Sequence, residues 1–139
     1  MENEPTKIKL WSPETIGVTA FFLGFPGGAF LATINANRMG DMPNKKKYIL
    51  NGVLYIFAFA FFRLSFQYSV LTSLVGISNI FLAYWLYHDM KEEIEENTAE
   101  QAVIYMTWWK GALIALGTLI AITLFYLLFT TVLVALSPQ

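Results

Sequence analysis

Residues 111–136 read GALIALGTLIAITLFYLLFTTVLVAL, 26 positions from Gly111 to Leu136 without one charged side chain. About 20 apolar residues suffice for a helix to cross the roughly 30 Å hydrocarbon core of a bilayer. Further apolar runs lie upstream, from Ile16 to Ile34, Tyr48 to Phe66 and Tyr68 to Tyr87. Together they predict an all-α fold, an integral membrane four-helix bundle in a single domain spanning residues 1–139. Helices are expected at about 13–36, 48–66, 68–88 and 104–136, with a tight hairpin between the second and third.

Composition points the same way. The chain is 56% hydrophobic and 14% charged, against about 25% charged for an average soluble domain. It has no cysteine, which excludes disulfides, thiolate metal sites and Cys nucleophiles. A net charge of −1 gives nucleic acid no electrostatic footprint.

The first run opens on helix-start signals. Ser12 can cap the free N–H groups, Pro13 suits the first helical position and Glu14 complements the positive end of the helix dipole. Lys7 and Lys9 before an apolar stretch also suggest a signal peptide. The stretch is longer than a usual signal core, however, and the small-residue cleavage pattern near Ala36 is poor. Arg38, Gly40, Pro43 and Lys45–Lys47 then form a basic loop, and an acidic linker is expected over about 89–103.

Sidedness follows from lysine and arginine in short loops. Arg38, Lys45, Lys46, Lys47, Lys91 and Lys110 fall on one side, and Lys7, Lys9 and Arg63 on the other. The bias puts both termini outside a cell membrane crossed by several spans, with loops 37–47 and 89–103 cytoplasmic. Trp11 would mark the outer interface, and Tyr48, Trp85, Tyr87, Trp108 and Trp109 the inner one, because amphipathic rings settle at those levels.

Ala20, Gly24, Gly28 and Ala32 recur every four residues, a small-residue ridge of the kind that lets helices approach closely in lipid. Pro26, inside the ridge, removes a backbone hydrogen bond. This fits either a broken helix that offers backbone carbonyls to an ion or a kinked helix packed on a neighbour. The frequency of Gly and Pro in membrane helices favours packing.

Residues 11–40 also carry a resemblance. Ser12-Pro13, Phe22-Leu23-Gly24, Pro26, Asn35 and Gly40 resemble the opening of a loose group of small bacterial integral membrane proteins. That opening reads S-P, then F-L-G-G-P, then N and L-G. Phe25 stands here where the group has its second glycine. The resemblance implies a bacterial membrane address and no particular activity.

In the third run, Thr72, Gly76, Asn79 and Ala83 form a heptad-like stripe expected to face other helices. Asn79 would hydrogen-bond across that contact, a bond worth about 0.6 kcal/mol on average in membrane proteins. Arg63 is the one charge within an apolar run. An arginine at mid-bilayer costs roughly 2.5–3.5 kcal/mol, so such residues pair or reach for the interface. An outer-side ion pair between Glu14 and Arg63 is one expectation, and an arginine lying among headgroups is the other.

The run from His88 to Glu96 holds carboxylates that suit a hard cation, but its spacing matches neither an EF-hand loop nor an HExxH site. A solvated linker is expected there, with no metal and no cofactor. A lone histidine, the lack of cysteine and the absence of a Walker or dinucleotide motif give no catalytic residues and argue against an enzyme. Two functions remain. The first is a non-enzymatic accessory, modulator or immunity-type protein, with the lipid bilayer and another membrane protein or itself as partners. The second is a small oligomeric transporter or channel. The first is favoured because no titratable side chain is expected at depth, where proton-coupled carriers need one.

Overall fold

The first apolar run folds as two helices rather than one. In the computed structural model, which describes residues 7–65, 68–98 and 101–136, α1 (Pro13–Leu23) stops at Gly24 and α2 (Phe25–Met39) begins at once. Gly24 has φ 87° and ψ 152°, a backbone region open essentially to glycine alone. Pro26 then lies in the first turn of α2, where its missing N–H leaves no bond unmade. The Gly-Phe-Pro sequence is thus a reversal, and not the kink expected of a single helix over 13–36.

Both ends of this hairpin are capped by local chemistry. The Thr15 N–H donates to Ser12 Oγ at 3.2 Å, satisfying one of the free donors at the start of α1. At the end of α2, Gly40 is left-handed with φ 77°, and the Asp41 N–H reaches back to the Ala36 carbonyl at 2.9 Å. This is the Schellman arrangement. Asp41 then caps α3 (Met42–Ser65), accepting the Asn44 N–H at 3.1 Å.

The two short helices pack antiparallel. A Cβ on Gly28 would stand 2.5 Å from Ala20 Cβ, 2.9 Å from the Ile16 carbonyl and 2.9 Å from Leu86 Cδ2. Ala20 and Gly28 therefore face each other across the reversal, instead of lying on one face of one helix. α2 also packs antiparallel on α3, with Ala29 against Gly52 and Phe25 against Tyr55. α4 (Tyr68–Asn97) runs back along α1 and α3, its Ala83 and Tyr87 closing over Gly17. Residues 89–97, expected as linker, are the last turns of this helix.

Two short strands complete the fold. β1 (Lys7–Leu10) pairs in parallel with β2 (Ala102–Tyr105), Lys7 opposite Ala102 and Leu10 opposite Tyr105. α5 (Trp108–Leu136) follows β2 and sets Gly111 against Trp11 and Thr15, then Ala115 against Gly27. The core comprises Leu10, Trp11, Ile16, Phe25, Leu31, Tyr48, Leu86 and Met90. As a result β1, the start of α1, the end of α2, the start of α3, the end of α4 and the start of α5 gather at one end. Every charged residue of the described segments apart from Arg63 belongs to that end.

Among the described residues, one helix is long and apolar enough to cross a membrane, α5, over Trp108–Phe125. The expected four-helix membrane bundle is thereby overturned, and the multi-pass topology and loop sidedness built on it lose their support. The causes are local. The 11 and 15 residues of α1 and α2 reach roughly 16 and 22 Å at 1.5 Å per residue, short of a hydrocarbon core of about 30 Å. Over their described residues, α3 runs its apolar length into Lys45, Lys46 and Lys47, and α4 runs its own into Asp89 to Glu96, so neither shows a long enough apolar window among those residues.

Candidate functional site

At the charged end, the first turns of α3 meet the last turns of α4 through four side chains. Tyr48, fully buried, has its Oη 2.5 Å from Asp89 Oδ2 and 2.6 Å from Glu93 Oε1. Lys47 Nζ lies 2.7 Å from the same Asp89 oxygen and 3.3 Å from Glu93 Oε1. Lys47 also sits over the rings of Tyr48 and Trp85, 5.0 and 5.8 Å from their centroids, within cation–π range. Helical spacing makes the cluster: Asp89 and Glu93 are four residues apart on α4 and so share a face.

Burial and charge act together on these groups. Glu93 is 5% exposed. Burial pushes its carboxyl above the ordinary range and the nearby Asp89 charge adds to this, while Tyr48 and Lys47 pull the other way; the net shift is upward. Burial likewise raises the Tyr48 phenol, reinforced by the carboxylates it meets. Burial alone would lower Lys47, but hydrogen bonding and attraction from Asp89, then Glu93, raise it overall. Among the described residues no group of three His, Cys, Asp or Glu could hold a metal ion.

A second polar lock fixes the entry of α1. The buried Asn35 side chain accepts the Trp11 N–H and donates to the Trp11 carbonyl, both at 2.8 Å, and its amide also reaches Met90 Sδ at 3.5 Å. It satisfies both backbone groups of Trp11 as a neighbouring strand would. One turn on, Arg38 donates to the Lys9 carbonyl at 2.9 Å and to Met106 Sδ at 3.1 Å. These bonds are structural, tying β1 to α2.

The residues singled out from sequence separate into two sets. Ala20, Gly28 and Ala32 are buried packing residues, and Gly24 and Pro26 build the reversal. Ala83 packs on Gly17, and Asn79 Oδ1 accepts the Tyr55 hydroxyl at 2.7 Å across α3 and α4. Gly76 of the same stripe is exposed, with open space where a Cβ would stand. Glu14 is exposed in the first turn of α1. The side chains of Arg63 and Thr72 lie outside the described residues, and with them the Glu14–Arg63 pair.

Sequence reasoning missed Asn35 and Glu93. Asn35 lies at the end of an apolar run, and the group it serves is 24 residues away. Glu93 sits among acids that suggest solvent, yet Leu86, Met90 and Ile94, at spacings of four, mark the buried face beside it. No family model, curated protein or solved structure matches the chain.

Proposed function

We propose that the protein is a non-enzymatic, membrane-associated helical protein, anchored by α5 and acting through helix–helix contact with another membrane protein or a second copy of itself. The observation that carries this reading is the bareness of α5. Its apolar window is only 11% buried, unlike the core helix of a soluble fold. Beyond Ala115 its Leu116, Ile120, Leu124 and Leu128 are exposed. Trp108, Trp109 and Lys110, also exposed, stand at its entry, the residue types that favour a membrane interface.

Membrane fractionation tests the anchor. The full chain should stay with membranes through an alkaline carbonate wash, and a chain ending at Thr107 should be released. Recovery of the full chain in the soluble fraction would overturn the reading. Because the native sequence has no cysteine, a single cysteine at Leu124 should cross-link to its partner in the membrane, and absence of any adduct would count against helix–helix contact.

A carrier function is the second reading, and the buried Glu93 favours it by supplying the titratable group that proton coupling needs. Proton-driven flux in liposomes that disappears in Glu93→Gln would displace the first reading.

A further inference from the structure

The distances around Tyr48 impose a count of protons. Its hydroxyl has one hydrogen, yet two carboxyl oxygens lie within 2.5 and 2.6 Å of it. One of these contacts can be the phenol donating. The other would set two oxygens at hydrogen-bond distance with nothing between them, unless the second carboxyl brings a proton of its own.

Three observations decide which carboxyl that is. Lys47 is closer to Asp89, at 2.7 Å against 3.3 Å for Glu93, so the ionised partner of the lysine is Asp89. The Glu93 side chain is the more buried, 7% exposed against 21%, and burial penalises the charged form. Glu93 Oε2 is buried with no hydrogen-bond partner. That is far less costly for the carbonyl oxygen of a neutral acid than for a carboxylate oxygen.

The geometry points to a protonated Glu93 that donates to Tyr48, which in turn donates to an ionised Asp89 held by Lys47, forming a proton-dependent latch between the start of α3 and the end of α4. The chain of donors runs one way, and the cluster is electrically neutral, with one cation and one anion. Loss of the Glu93 proton would leave a buried anion facing the phenol oxygen and a second carboxylate, with a single lysine to balance both.

Among the described residues, other groups do not supply the compensation. From α3 come Lys47 and Tyr48, and from α4 Asp89. Asp41, in the turn between α2 and α3, lies beyond Asn97, whose amide donates to the Glu93 backbone carbonyl at 3.0 Å and reaches Asp41 Oδ2 at 3.4 Å. Arg38 of α2 is engaged by Lys9 and Met106, and Glu14 of α1 is exposed. The latch adds to a second polar contact between the same helices, in which Tyr55 donates to Asn79 Oδ1 at 2.7 Å.

Infrared difference spectroscopy of the full chain in detergent or liposomes tests this directly. At neutral pH the native protein should show the stretch of a buried neutral carboxyl, shifted in D2O, absent in Glu93→Gln and retained in Asp89→Asn. Raising the pH should remove the band. The folded pKa of Glu93 lies above its unfolded one, so its stabilising effect is complete below the unfolded value and is lost as pH rises through the folded value. Glu93→Gln, which keeps a donor for Tyr48, should therefore flatten the fall in melting temperature over that interval. No neutral carboxyl band at neutral pH, or a band lost in Asp89→Asn and kept in Glu93→Gln, would overturn the assignment. If Glu93→Gln does not fold, the pH titration of the native band and the Asp89→Asn spectrum still decide the matter.

Discussion

Asn35 and Glu93, at the charged end, are buried and held by side chains and backbone from other elements, whereas Leu124 and Leu128, far along α5, stand exposed. At the first end position is set by directed bonds: both backbone groups of Trp11 end on one amide, and one phenol joins two carboxyls. In the other region the described side chains of Leu124 and Leu128 are left largely uncovered by the fold. The contrast sets a charged end whose order is fixed by internal bonds against an apolar length of α5 whose described side chains are mostly exposed.

That contrast can be broken by substitution, and the largest effect should come from Asn35→Leu. It strands the N–H and carbonyl of Trp11 in the core, at about 1–3 kcal/mol for each unsatisfied group, and thermal unfolding should show a correspondingly large drop. Next comes Gly28→Ala, whose new methyl meets Ala20 and the Ile16 carbonyl at 2.5 and 2.9 Å and should cost about 1–3 kcal/mol by overpacking. A double-mutant cycle with Ala20→Gly sharpens the point, since moving the methyl to the other side of the reversal should recover part of the loss; strict additivity would mean the two do not touch.

Tyr48→Phe should be milder, about 1–2 kcal/mol, since it removes the hydroxyl that joins the two carboxyls. Chemical denaturation with the protein held in one detergent would measure it. The smallest effect belongs to the uncovered region. Gly76→Ala, on a helix with open space around the site, should be neutral or stabilise by about 0.5–1 kcal/mol through helix propensity. A clear destabilisation there would reveal a close neighbour of Gly76 and narrow the difference between the two regions.

The sequence foretold some of this and hid the rest for physical reasons. The start of α1 was legible in Ser12, Pro13 and Glu14, because a helix cap is a local device. So was α5, because an uncharged run of that length has few other readings. The reversal at Gly24 was marked by glycine, phenylalanine and proline, but periodicity carried the small-residue ridge straight through it. Ala20 and Gly28 are eight residues apart and would share a face on one helix, so the ridge is equally consistent with two helices folded face to face. The β1–β2 pair left no trace, since each strand has four residues and its partner is nearly a hundred positions away. The buried role of Glu93 was concealed because charge type outweighed the apolar neighbours at Leu86, Met90 and Ile94.

The pairing of β1 with β2 has a consequence for how the chain is made. Lys7–Leu10 leaves the ribosome before the strand it lies beside, since Ala102–Tyr105 is translated only after α1 to α4. The two ends of the parallel ladder are thus joined across most of the polypeptide, a contact of high sequence separation that forms slowly. β1 is therefore among the last elements to find its place, and the nascent protein must hold Lys7–Leu10 in waiting until translation reaches the threshold of α5.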